Sequence, residues 1–247
     1  MGRYDGILIC SDLDGTLFNS KHEISKQNLD AINYFIKNGG RFSISTGRSW
    51  QYVKVLEEKG LICNNPVIAM NGAMIYDIKK EKVLYHNPMD IEKIRSIREF
   101  ADENRAYYND VAYHSRNIVK CFDKIEDNML YKVVFACKNV ECSKIVRKNL
   151  QNKYLDDFMI INGWDAGVEI LHKNSSKGEC IKKMREFSDR PIDKIVCVGD
   201  YENDISMLQS ADMGYAVANA MPELKAVATK VTVSNDEHAL SVIISEL

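Results

Sequence analysis

Ile7-Leu8-Ile9-Cys10-Ser11-Asp12-Leu13-Asp14-Gly15-Thr16 joins an unbroken apolar run to a pair of acids. Its first four residues are apolar without alternation, the pattern of a strand buried on both faces. The strand then ends in two carboxylates, two positions apart, followed at once by glycine. Burying charge is expensive unless something compensates it, so Asp12 and Asp14 call for a cation, a proton or a ligand. A surface turn is the competing reading, because Asp-Gly is a common turn pair. Residues elsewhere in the chain have to decide between the two.

Outward from this stretch the chain alternates helix and strand. Ser25 is placed to cap a helix over 26–38, with Leu29, Ile32, Phe35 and Ile36 at helical spacing and Gly39 at the stop. A strand over 41–45 runs into Thr46-Gly47-Arg48, a helix is expected over about 49–59, and a third strand over 66–70 ends in Asn71-Gly72. Such alternation implies parallel strands with right-handed crossovers. From about residue 83 to 171 the order becomes helix, two strands, helix, two strands, with Asn162-Gly163 read as a hairpin turn. This is the pattern of an inserted antiparallel α+β module. Alternation resumes with a helix over 177–188, a strand over 194–198 ending in Gly199-Asp200, a helix over 204–210, a strand over 214–218, a helix over 222–228 and a last helix from Glu237. The expected organisation is therefore a discontinuous α/β core, residues 1–83 and 172–247, interrupted by an α+β domain over 84–171.

Composition narrows the class of partner. The chain has 247 residues, 45% hydrophobic and 28% charged, with a formal net charge of -2 and its Lys and Arg scattered. That balance argues against nucleic acid or an anionic membrane surface as the main partner. No apolar stretch approaches membrane-spanning length, and the chain enters its first strand without a leader-like segment, so a cytoplasmic protein is expected. Seven cysteines (Cys10, Cys63, Cys121, Cys137, Cys142, Cys180 and Cys197) are odd in number and form no C-x-x-C pair. This disfavours a zinc site or a disulfide framework, and Cys10 and Cys197 read as small core residues of strands.

Three strands thus end in polar clusters: Asp12 with Asp14, Thr46-Gly47-Arg48, and Asp200 with Asn203-Asp204. In an open parallel sheet the carboxyl ends of the strands line the ligand crevice. Asp12, Asp14, Asp200 and Asp204 would then lie near one site, where two like charges about 4 Å apart repel by roughly 4 kcal/mol at an effective dielectric near 20. A cation is the natural remedy, and an all-oxygen donor set suits a hard ion, Mg²⁺ first.

These residues resemble the four signatures of the haloacid dehalogenase-like hydrolases. Asp12-Leu13-Asp14-Gly15-Thr16 looks like the first, Thr46 the second, Lys177 the third, and Gly199-Asp200-Tyr201-Glu202-Asn203-Asp204 the fourth, in the family's order across nearly the whole chain. Ser45-Thr46-Gly47-Arg48, Asn71-Gly72-Ala73, Ser176-Lys177-Gly178 and Asn219-Ala220 resemble the Cof-type branch, subclass IIB, with its large cap between the second and third motifs. The resemblance implies a Rossmann-like parallel-sheet core with an inserted α+β cap, and a phosphatase acting on small phosphorylated metabolites, sugar phosphates foremost. It implies Asp12 as nucleophile forming an aspartyl-phosphate and Asp14 as acid and then base. Mg²⁺ would be held by Asp12, the Asp14 main-chain carbonyl and Asp200, with Asp204 as a further ligand or orienting its waters. Thr46 would bind phosphate through hydroxyl and amide, with Gly47 beside it, and Lys177 would neutralise phosphate charge and hold Asp12. Arg48 faces either the substrate or a structural ion-pair partner; Asn203 contacts phosphate or caps a helix. A phosphomutase, with sugar in place of water as acceptor, and a non-catalytic phosphometabolite sensor are the alternatives. Tyr201, Ala218 and Ala239 depart from the branch, which often has glycine there, and the departures bear on substrate preference rather than on the reaction. His86, His114 and His172, in or near the cap, read as structural.

Overall fold

In the computed structural model, which describes residues 2–115, 118–120 and 129–247, the opening apolar run forms strand β1 (Ile7–Ser11), with Leu8, Ile9 and Cys10 fully buried. An irregular turn over 13–17 leads away from it. Helix α1 (Lys26–Lys37) starts where Ser25 Oγ accepts the Asn28 N–H, and buries Ile32 and Phe35. Next come β2 (Arg41–Ile44), α2 (Trp50–Glu58) and β3 (Val67–Ala69). Beyond them lies a pair of strands that sequence periodicity did not single out, β4 (Met74–Asp77) and β5 (Lys82–His86). β4 pairs antiparallel with β3 and carries β5 at its other edge, giving a small three-stranded sheet.

The chain divides into two compact units, residues 1–85 with 176–247, and residues 86–175. The second unit contains α3 (Ile91–Glu103), β6 (Tyr108–His114), β7 (Ile118–Val119), β8 (Lys132–Cys137), α4 (Val140–Tyr154), β9 (Phe158–Trp164) and β10 (Gly167–His172). Its strands form one antiparallel sheet in the order β7-β6-β8-β10-β9. Ile94, Ile97 and Phe100 of α3 and Val146 and Leu150 of α4 pack with Val133, Phe135, Val168 and Ile170 of the sheet into one apolar core. Asn162-Gly163 is not the hairpin turn. Both residues lie inside β9, and the turn falls at Asp165-Ala166. Asn162 is held in the strand because its amide donates to the Gly167 carbonyl (3.1 Å) and accepts from Arg147 (2.7 Å), and the ladder shifts register beside Gly167. A side chain that satisfied has no need of the turn.

The first unit resumes with α5 (Lys177–Phe187), β11 (Lys194–Gly199), α6 (Ile205–Gln209), β12 (Met213–Ala216), α7 (Pro222–Val227), β13 (Lys230–Val231) and α8 (Ala239–Glu246). Its sheet is parallel throughout, in the order β13-β12-β11-β1-β2. Cys10 and Cys197 face each other in register on the adjacent interior strands β1 and β11, fully buried. The six cysteines among the described residues are free; Cys121 lies outside them. Because Ser11 is in register with both Ile44 and Val198, the residues that follow these three strands leave the sheet at one edge. No helix among the described residues is long and apolar enough to cross a membrane.

Candidate active site

Asp12 is the first residue past β1. Its N–H still bonds the Val198 carbonyl (2.9 Å), so the sheet itself fixes where the carboxylate starts. The carboxylate is almost fully buried, and Lys177 Nζ reaches its Oδ1 at 2.5 Å. The same ammonium lies 2.6 Å from Asp204 Oδ1, and neither Lys177 nor Asp204 has measurable exposure. Lys177 opens α5, where Ser176 Oγ caps the helix by accepting the Glu179 N–H. A cation at a helix N-terminus is on the wrong end of the macrodipole, and here the two aspartates compensate it.

Asp204 also ties down the turn that carries Asp200. Its Oδ2 accepts the backbone N–H groups of Asp200 (3.0 Å) and Tyr201 (3.2 Å). Asp200 in turn accepts from Thr16 Oγ1 at 2.8 Å, a contact between the first and fourth motifs that sequence reading did not assign. Gly15 makes the approach possible. Its φ is +81°, and a Cβ there would sit 2.3 Å from Asp200 Oδ2. Asn219, from the Asn219-Ala220 stretch, donates to the Gly15 carbonyl at 2.8 Å.

Asp12, Asp200 and Asp204 each offer an oxygen within 4.8 Å of the others. Burial, reinforced by Asp204 and Asp200 and opposed by Lys177, pushes the Asp12 carboxyl well above the ordinary carboxylate range. Burial first, and then Asp204, pushes Asp200 up to about 7. Lys177 is held above the usual lysine range: burial works against its charge, but Asp12 and Asp204 outweigh it. Carboxyls that resist ionisation when left to themselves, as Asp12 and Asp200 do, are what a hard divalent cation would relieve.

The Asp14 side chain stands apart from this cluster. Both of its oxygens are taken by Arg48, Nε to Oδ2 and Nη2 to Oδ1, each at 2.7 Å. The guanidinium also lies over the Tyr52 ring, 4.1 Å from its centroid, and the Asp14 hydrogen bonds hold it above the usual arginine range. Of the two readings of Arg48, the ion pair is the one this geometry displays. Thr46 is buried, and its N–H donates to the Ile68 carbonyl (2.9 Å). The amide expected to face phosphate is therefore spent in the sheet, where the chain passes from β2 toward β3. Its hydroxyl oxygen accepts the Arg48 N–H (3.1 Å) and retains a proton to donate. Gly47 lies against the Asn71 side-chain amide, 3.1 Å from where a Cβ would be. Asn203 caps no helix; its Nδ2 donates to Asn71 Oδ1 at 2.9 Å.

Comparison with known proteins places this architecture. A model of the haloacid dehalogenase-like hydrolases matches residues 9–119 and 102–244. Phosphatase YwpJ of Bacillus subtilis is 25% identical, with 97% of this chain and 99% of that protein covered. The 5-amino-6-(5-phospho-D-ribitylamino)uracil phosphatase YwtE of the same organism is 26% identical, covering 97% of each. Among solved structures, the subclass IIB sugar phosphatase BT4131 superposes with a TM-score of 0.81 at 22% identity, over 97% of this chain and 98% of that one.

Proposed function

The chain belongs to the haloacid dehalogenase-like hydrolases, and we propose that it is a Mg²⁺-dependent phosphatase that hydrolyses phosphate monoesters of small metabolites. The observation that carries the proposal is the buried Asp12–Lys177–Asp204 triad. A carboxylate fixed at a strand end, with one oxygen held by an ammonium, is oriented to use the other as a nucleophile. A binding protein has no need to bury so costly a group.

In this reading an Asp12 oxygen attacks phosphorus, the bond from phosphorus to the ester oxygen breaks, and Asp14 gives its proton to the departing alkoxide. Asp14 then takes a proton from water, the hydroxide oxygen bonds to phosphorus, and the Asp12–phosphorus linkage breaks to release phosphate. The bidentate Arg48 pair occupies both Asp14 oxygens and fixes the orientation of the carboxylate. For the first half Asp14 must carry a proton, so Arg48 has to release at least one of its oxygens. Lys177 and the Thr46 hydroxyl offset and hydrogen-bond the phosphoryl oxygens.

Asp12, Asp200 and the Asp14 carbonyl would hold Mg²⁺. Asp204 Oδ2 is taken by two N–H groups, while Oδ1 accepts from Lys177 and keeps a second lone pair, so Asp204 would serve as a further ligand or orient the cation's waters. The cation would lower the charge that accumulates between the phosphoryl group and the carboxylates.

Sugar phosphates and phosphorylated sugar alcohols are the proposed substrate class. YwtE and BT4131 support it, since their names place the phosphate on a ribityl chain and a sugar. Selection among them falls to the second unit, residues 86–175, as the cap. The test is a panel of phosphorylated metabolites with Mg²⁺, scored for phosphate release. Release from a hexose or ribityl phosphate supports the reading. Isomerisation of a hexose phosphate without release would replace it with a phosphomutase.

A further inference from the structure

Three consecutive residues, Met70, Asn71 and Gly72, have positive φ (52°, 54° and 91°), although two of them carry a Cβ. Left-handed backbone is costly for such residues and persists only where the surroundings over-determine it. Here the surroundings are three other segments of the first unit. The Met70 N–H donates to the Arg48 carbonyl (2.9 Å) and the Asn71 N–H to the Thr46 carbonyl (3.0 Å), zipping the turn to the second motif. The Asn71 side chain, 2% exposed, accepts from Asn203 of the fourth motif and lies flat against Gly47. Gly72 abuts the start of α5: a Cβ there would be 2.1 Å from the Ser176 carbonyl oxygen and 2.8 Å from the Lys177 nitrogen. Its own carbonyl accepts from Cys180 Sγ at 3.2 Å.

We propose that Asn71 is a positioning residue of the site, its amide setting the Thr46–Arg48 loop and Asn203 in mutual register for phosphate, while Gly72 beside it packs on the start of the Lys177 helix. The inference rests on the phosphatase reading and adds to it a residue outside the acidic cluster. The left-handed turn carries the chain from the Ile68 ladder back along residues 46–48 and presents one amide to two motifs at once. Asparagine suits the position because it tolerates φ > 0 and carries both an acceptor and donors on a short stem. The strain at Met70 is the cost of that placement.

Asn71→Gly tests this, since it keeps the backbone conformation and removes only the amide. It is compared with wild type, Asn203→Ala and the double variant, using p-nitrophenyl phosphate turnover, inhibition by orthovanadate, and thermal unfolding. The expected result is a loss of ten-fold or more in kcat/KM and in vanadate affinity for Asn71→Gly, with an unfolding midpoint at or above that of wild type. Asn203→Ala should show a similar loss, and the double variant no more than about three-fold beyond the worse single, because each single variant already removes the hydrogen bond that the two side chains share. Kinetics within two-fold of wild type, or losses that multiply in the double variant, would overturn the proposal. A wild-type protein inert toward every phosphate ester would instead overturn the phosphatase reading.

Discussion

Replacing Lys177 with methionine should cost this protein about 3–5 kcal/mol of stability at pH 7.5 without metal, the usual penalty for stranding buried charge by removing its partner. The size follows from the geometry. The ammonium lies 2.5 Å from Asp12 and 2.6 Å from Asp204, and all three groups are buried. At an effective dielectric near 20, each contact carries about 6 kcal/mol of attraction, most of it offset by desolvation. Methionine keeps the volume and removes the charge, leaving two carboxylates to repel each other. Equilibrium unfolding in urea, followed by two probes, measures the loss. The penalty should shrink as pH falls toward 5. The Asp12 pKa is already raised, so the folded variant takes up a proton before the unfolded chain does, and stability returns as pH drops. Adding Asp12→Asn to Lys177→Met should recover part of the loss, because one of the stranded charges is gone. A penalty under about 1 kcal/mol, or one that grows on acidification, would refute the view that Lys177 is held in place by these carboxylates.

Chelation with EDTA should reduce phosphatase activity by at least a hundred-fold and Mg²⁺ should restore it; undiminished turnover in chelator would remove the carboxylate-metal account. In the second unit, burial and then Lys132 depress His114 to about 3. Below about pH 6.5 the unfolded chain therefore gains a proton that the folded one refuses, and stability falls by up to about 1.4 kcal/mol per pH unit. His114→Gln should lessen the drop between pH 7 and 5 by about 2 kcal/mol in urea titrations, and an unchanged drop would exclude His114 as its source. His238 has φ +62° and a buried Nδ1 with no hydrogen-bond partner, just before the Ala239 departure. His238→Gly should raise stability by about 1 kcal/mol by relieving the left-handed backbone, whereas a loss would mean that the imidazole packing outweighs the strain.

The features legible in the sequence were those with a local signal. The apolar run before Asp12 identified a central parallel strand, and the polar ends of three strands marked one edge of the sheet before any contact was known. Ser25 and Ile32 with Phe35 located α1 by capping and periodicity. What escaped depended on partners distant in the chain. Nothing around Arg48 shows that Asp14, 34 residues away, takes its Nε and Nη2. The Thr46 amide was expected to face phosphate because the sequence does not show that Ile68 claims it. Asn162-Gly163 has the composition of a turn, yet Arg147 and the Gly167 carbonyl hold Asn162 inside a strand. The β4–β5 pair is joined through a mixed charged stretch, Lys79-Lys80-Glu81; β4 is a short, fully buried strand, and β5 is exposed to half-exposed with no clear alternation. Asn71 was visible as part of an Asn-Gly pair, but the left-handed Met70 before it has no sequence signature.

Attack of Asp12 on phosphorus can be caught by rapid quenching of the enzyme with a ³²P-labelled phosphate ester, followed by peptide mapping under acidic conditions. Label is expected on the peptide that contains Asp12, turning over at a rate compatible with kcat, and none in Asp12→Asn, which should also lack turnover. Unimpaired Mg²⁺-dependent turnover by Asp12→Asn, or label on a peptide without Asp12, would contradict Asp12 as the nucleophile.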